Sequence, residues 1–421
     1  MKKLILDNGL TLITEKIKEA KTSSVVVTVK IGPSDEPSEM AGISHFVEHM
    51  AFKGTRSIPD PTELSAVIEN VGGFINASTD YDSTHYYIKA PSEHIEKSIT
   101  LLFDMLSNST FLTSSIENER KVITEEINSV NDFPDDRCEL NLHKVMWPNT
   151  YLERDIAGSH KTLKSITESD LLCFYNHNYT ADKIIVSVAG NIEESELISL
   201  ISNLSKELPL SRKNDVSYKP KLTPQSGKIY IEEADTGQIH ICFGYPGAST
   251  DTETKYSLSL LNIILGSGMS SLLFKEVREK RGLAYDIESK QYNLNQCGYL
   301  TITAGLSQKK LNESIELIEN IMSNCYQQID KSTLNKAKNM LKGRLIISME
   351  DTLSIAEFNA TSQRFGTANN FEDHLEKVNN VKIDEIKEIA HTNFTEFKPN
   401  IAIVGPVKEL YSSRIPSSVH I

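Results

Sequence analysis

The chain has 421 residues, 39% of them apolar and 24% charged, with 44 Lys and Arg against 57 Asp and Glu for a formal net charge of −13. That length predicts two to four domains, and that apolar fraction excludes a disordered chain, because enough apolar surface is available to fill real cores. The acidic balance argues against a protein that binds phosphate backbones, an affinity built from clustered Lys and Arg. It favours basic partners instead.

The five cysteines, Cys138, Cys173, Cys242, Cys297 and Cys325, are odd in number, far apart and never form C-x-x-C. Neither a disulfide framework nor a cysteine zinc site is expected, and the compartment is predicted to be reducing. The segment Met1 to Asp7 has the charge of a signal peptide's first region but only three apolar residues before its aspartate, too few for a hydrophobic core. The longest apolar runs, such as Val25 to Val29 and Ile184 to Ala189, fall far short of the roughly 18 residues a membrane helix needs. A soluble, cytoplasmic protein with no membrane or nucleic-acid partner is expected.

In chain order, Leu4 to Leu6 and Leu10 to Ile13 flank Asp7-Asn8-Gly9 as a hairpin, and the β-branched run Val25 to Val29 reads as a buried strand. Helices follow at 44–52 and at 61–71, where Pro61 suits a first turn and Gly72-Gly73 a stop. Strands are predicted at 74–77 and 85–89, helices at 92–107, 113–130 and 167–176, a strand at 183–189 and a helix near 194–206. Residues 208–227 hold three prolines, mixed charges and no apolar period, which marks a linker between halves 1–207 and 228–421. The order then restarts: strands at 228–232 and 239–244, helices at 253–265 and 269–279, strands at 285–291 and 299–305, helices from 309 and a last strand at 400–404. That recurrence predicts a duplicated α+β unit.

The chemistry concentrates in His45-Phe46-Val47-Glu48-His49. On a helix, positions i, i+3 and i+4 share a face, so His45, Glu48 and His49 point together while Phe46, Val47 and Met50 turn toward packing. Two imidazoles one turn apart can hold one metal ion, and the carboxylate beside them can take a proton from water activated by that ion. The order H-x-x-E-H is that of the inverzincins. A zinc with two histidines needs a third protein ligand, commonly a carboxylate. Ile116 to Ile127 offers several: Glu119 and Glu126 lie two helical turns apart on one face, one able to ligate and the other to organise its surroundings. Ile116, Val122, Ile123 and Ile127 are available for the core side. The remaining histidines lack a partner at metal spacing, and no G-x-S-x-G elbow is present.

Gly32, nine residues, then Gly42-Ile43-Ser44 and His45 to Thr55 resemble the signature of the insulinase and pitrilysin zinc peptidases, especially their shorter, processing-peptidase-like branch. The stretch Ile116 to Ile127 is similar to that family's E-R-E-R-x-V-I-x-x-E helix. An ungapped match gives Glu126 the place of the third ligand and Glu119 that of the supporting glutamate, with Glu125 one register away. Gly266 to Tyr285 matches the segment whose Arg and Tyr hold substrate and support the polarised carbonyl, here Arg278 and Tyr285, with Arg281 as the other arginine; Leu272 stands where the family usually has arginine. Gly73 to Thr79 is similar to the G-x-x-N-A-x-T strand, so Asn76 and Ala77 would bind an extended peptide by strand addition.

The resemblance implies a zinc endopeptidase with one Zn2+ per chain. Its fold would be α+β: two similar halves, each a mostly antiparallel sheet covered by helices, facing each other as a clamshell around a chamber that admits unfolded peptides or presequences. It also implies peptide substrates and pairing as a homodimer or with a paralogue. The alternative is a non-catalytic peptide-binding or assembly subunit of a processing-peptidase-like complex, against which an intact Glu48 argues. A phosphate-ester hydrolase is a weaker option, since it would call for a second metal and more carboxylates.

Overall fold

The computed structural model describes residues 1–209, 219–366 and 370–407, so 210–218 of the predicted linker lie outside the described residues. The chain runs β1 (Lys2–Ile5), β2 (Thr11–Lys16), β3 (Thr22–Val29), α1 (Ile43–Ala51), α2 (Pro61–Glu69), β4 (Phe74–Asp80), β5 (Ser83–Pro91), α3 (Ile95–Asn108), α4 (Thr113–Asp132), α5 (Pro134–Met146), α6 (His160–Ser165), α7 (Glu168–Asn178), β6 (Ile184–Gly190) and α8 (Glu194–Leu204). It continues through β7 (Ile229–Glu233), β8 (Ile239–Pro246), α9 (Thr254–Leu265), β9 (Ala284–Asn293), β10 (Gly298–Leu306), α10 (Leu311–Gln328), α11 (Lys331–Ser348), α12 (Thr352–Phe365), α13 (Phe371–Asn380), α14 (Ile383–His391) and β11 (Asn400–Gly405).

The fold is α+β with two similar sheets. The first has the order β1-β2-β6-β3-β5-β4, in which β2 and β6 alone run parallel. The second has the order β7-β11-β8-β10-β9, in which β7 and β11 alone run parallel. With β1 set aside, the two orders correspond strand for strand, and the single parallel pair falls in the same place, as a duplicated unit requires.

Two compact units result, one of Met1–Ile127, Asp155–Tyr218 and Ile346–Asn370, the other of Asn128–Arg154, Lys219–Leu345 and Phe371–Ile421. They are interleaved, where the sequence predicts a simple split between 1–207 and 228–421. The reason lies in strand alternation, which sends successive side chains to opposite faces. Val25, Val27 and Val29 of β3 enter the large core with α1 and α3. Val26 faces the other way with Ile13, Ile185 and Ala189, and that face is covered by Ile355, Ala356 and Ala360 of α12. In the second unit, Cys138 and Leu142 of α5 pack on Cys242, Ala402 and Val404. A Cβ at Gly244 would stand 2.8 Å from the Met146 sulfur, so glycine there lets α5 lie close on β8.

Local chemistry accounts for the elements that frame the first unit. Gly9 takes φ 89°, and Asn8 Oδ1 accepts from the Leu10 amide at 3.2 Å, closing the β1–β2 turn. Asp60 caps α2 by accepting from the Thr62 amide at 2.7 Å, with Pro61 in the first turn. Among the described residues no helix is long and apolar enough to cross a membrane.

Candidate metal centre

Helix α1 starts at Gly42, whose φ of 95° is open to glycine and whose missing Cβ would meet the Ala157 carbonyl oxygen at 2.4 Å. The buried Glu36 carboxylate accepts from the Gly42 amide at 2.9 Å and the Ser44 amide at 2.8 Å, placing negative charge at the helix's positive end. Ile43, Phe46, Val47 and Met50 are buried in the core, so His45 and His49 are left on the opposite stripe. Helix α4 is anchored by Ile116 and Ile123, and Arg120 donates to the carbonyls of Leu163 and Ile166. Val122 departs from the sequence expectation: it is 45% exposed, because the buried stripe passes through Ile116, Glu119 and Ile123 instead.

These two helices bring three donors together. His45 Nε2 lies 3.2 Å from His49 Nε2 and 3.8 Å from Glu126 Oε2, and His49 Nε2 lies 3.5 Å from the same oxygen. Donors about 2.0–2.1 Å from a tetrahedral zinc stand about 3.3 Å apart, so the triangle fits zinc in size as well as in donor type. Among the described residues this is the group of His, Cys, Asp and Glu able to hold a metal ion. Glu125 is exposed and lies outside it. Glu119, 4% exposed, accepts from His49 Nδ1 at 3.0 Å, which leaves Nε2 free to face the other donors. Its second oxygen meets Lys53 Nζ at 2.6 Å.

The electrostatics differ from one residue of the group to the next. Burial, with the neighbouring His49, pushes His45 down to about 3, so its imidazole stays neutral as a ligand must. Burial alone would lower His49 too, but the hydrogen bond to Glu119 and the charges of Glu126 and Glu48 outweigh it and hold His49 above its ordinary value. Burial would raise Glu119, yet His49 and Lys53 together keep it below the usual carboxylate range. Glu48 is 8% exposed and raised by that burial, despite the hydrogen bond it accepts from Thr79 Oγ1.

Comparison with known proteins bears on this geometry. Residues 11–160 match the family model described as Insulinase (Peptidase family M16), and residues 165–341 match Peptidase M16 inactive domain. The chain is 31% identical over 408 residues, 96% of its length and 98% of the relative's, to a Bacillus subtilis (strain 168) protein called Uncharacterized zinc protease YmxG. The chain belongs to the insulinase family, peptidase family M16. A Rickettsia felis uncharacterized zinc protease is 31% identical over 403 residues, 95% of this chain and 96% of that one. The fold is that of a protease from Helicobacter pylori, with TM-score 0.88, 21% identity and coverage of 96% of this chain and 99% of that one.

The other family-matched residues fall in two places. Asn76 and Ala77 lie on β4, the outer strand of the first sheet, with Asn76 exposed and its Oδ1 accepting from the Ala77 amide at 2.9 Å. Arg278 and Tyr285 belong to the second unit and sit together: the Arg278 guanidinium carbon is 4.7 Å from the Phe274 ring centroid and 5.6 Å from that of Tyr285, which is 75% exposed. Arg278 occupies a π-helical turn, Phe274–Glu279, where an α-helix over 269–279 is predicted. Arg281 is engaged by Glu276, whose carboxylate is 3.0 Å away. The sequence reading passes over Lys53 and Thr79 as site residues. Lys53 stands four residues after His49, a helical spacing that could have flagged it, and Thr79 is the threonine that closes the G-x-x-N-A-x-T match, which could have flagged it too.

Proposed function

We propose that the chain is a zinc-dependent endopeptidase that cleaves unfolded peptides or presequences. The observation that carries this reading is the zinc-sized triangle of His45, His49 and Glu126 with the buried carboxylate of Glu48 on the same helix. His45 Nε2, His49 Nε2 and Glu126 Oε2 would hold the ion. Bound zinc supplies Lewis acidity for the scissile carbonyl and brings water to a pKa of about 7. Glu48 takes a proton from the attacking water and returns it to the departing amine, a role suited to a carboxylate raised by burial. Arg278 and Tyr285 hold substrate and support the developing oxyanion. The engagement of Arg281 by Glu276 favours Arg278 for that part. Peptide backbone adds at Asn76 and Ala77 to β4, the last strand of its sheet among the described residues, which demands an extended, unfolded substrate.

The match of residues 165–341 to a domain described as inactive favours a second reading, a non-catalytic peptide-binding or assembly subunit. Glu48 argues against it, since a purely structural metal site has no use for a base there. The deciding experiment incubates the zinc-loaded protein with a mixed pool of unstructured peptides and reads the products by mass spectrometry. Internal cleavage that a chelator abolishes and added zinc restores is expected. Stoichiometric zinc with no cleavage in a diverse pool would favour the second reading.

A further inference from the structure

A general base acts only when its carboxylate is aimed at the water it deprotonates. Among the described residues Thr79 is the one hydrogen-bonding partner of the Glu48 carboxylate, donating through Oγ1 to Glu48 Oε2. An ionised carboxylate offers about four lone-pair sites, and burying one with a single donor is unfavourable unless the free oxygen has another use. We propose that Thr79 is a positioning residue for the reaction: it fixes one oxygen of Glu48 so that the other is presented to the attacking water. This rests on the zinc-peptidase reading and deepens it.

Three observations support the assignment. The first concerns the direction of the hydrogen bond. Thr84 Oγ1 lies 3.5 Å from Thr79 Oγ1, but Thr84 gives its own proton to the Ile31 carbonyl at 3.1 Å, so the single Thr79 proton is directed at Glu48. The second concerns stiffness. A β-branched side chain has few χ1 choices on a strand, so the position of the hydroxyl is set by the backbone. The third concerns how that backbone is held. Thr79 pairs with Thr84 and Asp80 with Ser83 at the tip of the β4–β5 hairpin. The tip packs on Gly32, where a Cβ would come within 2.4 Å of the Asp80 carbonyl oxygen, and the Ser34 amide donates to the Tyr81 carbonyl at 2.8 Å. Arg364 of α12 donates to the Asp82 carbonyl from the other side. The donor is therefore held by the strand pairing, the Gly32 loop and a helix contributed by the second half of the sequence.

The test uses full-length Thr79→Val, which keeps shape and loses the hydroxyl, Thr79→Ser, which keeps the hydroxyl, and Glu48→Gln as a reference. Infrared difference spectra of the metal-free proteins identify the Glu48 carboxylate stretch as the band missing from Glu48→Gln. That band is expected to shift in Thr79→Val and to return toward its wild-type position in Thr79→Ser. In the zinc-loaded proteins, Thr79→Val should keep one zinc per chain and change KM little while kcat falls roughly 10–100-fold, a part of the 10²–10⁴-fold that a general base contributes. Thr79→Ser should recover kcat to within about threefold. An unshifted band, wild-type kcat in Thr79→Val, or a Thr79→Ser variant as slow as Thr79→Val would overturn the proposal. If the wild type cleaves no peptide, the endopeptidase reading falls by itself, and an unshifted band still overturns the Thr79–Glu48 contact independently of it.

Discussion

Replacing Glu119 by Gln removes one negative charge and little volume from beside His49. In the native arrangement the His49 Nδ1 hydrogen is held by a carboxylate at 3.0 Å, whose other oxygen is paired with Lys53 at 2.6 Å. A hydrogen bond to a charged group contributes about 1.5–3 kcal/mol and a neutral one about 1 kcal/mol. The amide, which can still accept from Nδ1, should therefore forgo about 1–2 kcal/mol of support for the imidazole. At about 1.4 kcal/mol per decade that is roughly a 5–30-fold weaker zinc complex, overlapping the lower part of the roughly 10–100-fold found for residues that buttress metal ligands. The assay is competition with a chromophoric chelator at pH 8, where protons compete little with zinc for His49. A zinc Kd within twofold of wild type would refute the role given to Glu119.

The register of α4 can be checked directly: Glu126→Gln should weaken zinc more than Glu119→Gln does, whereas Glu125→Gln, on an exposed neighbour, should leave the Kd unchanged. Equal losses in the two would contradict the ligand assignment. A separate prediction concerns acid stability. His85, whose Nδ1 and Nε2 each lie 2.9 Å from a hydroxyl, of Thr28 and Ser83 respectively, is lowered to about 4 by burial and by Arg364. The unfolded chain takes up this proton near pH 6.5 and the folded chain only near 4, so stability falls as pH drops through that window, by up to about 3 kcal/mol in all. In thermal unfolding, His85→Gln should show a smaller loss of midpoint between pH 6.5 and 4.5 than wild type; an unchanged slope would place the acid sensitivity elsewhere, with Asp80 at 3.9 Å the first group to examine.

Helix α1 was legible because its signal is local: the i, i+3, i+4 spacing that collects His45, Glu48 and His49 also sets which residues can pack, and Phe46, Val47 and Met50 are buried as that spacing requires. Most strands and long helices were legible for the same reason. Helix α5 was not, since Asn141 and His143 are buried polar residues that interrupt its apolar pattern. The interleaving of the units was invisible because the residues of α12 that cover the first sheet, Ile355, Ala356 and Ala360, form an ordinary apolar stripe that does not name its partner. The grip of Thr79 on Glu48 joins residues 31 apart in sequence through a strand edge, and no periodicity encodes it.

The central claim is that Glu48 does chemistry beside a metal held by other residues. Glu48→Gln removes the base and none of the three donors, so zinc content by mass spectrometry and cleavage of an unstructured peptide should part company. The prediction is one zinc per chain, as in wild type, with cleavage reduced by about 10²–10⁴-fold. Cleavage at the wild-type rate with zinc still bound would contradict it.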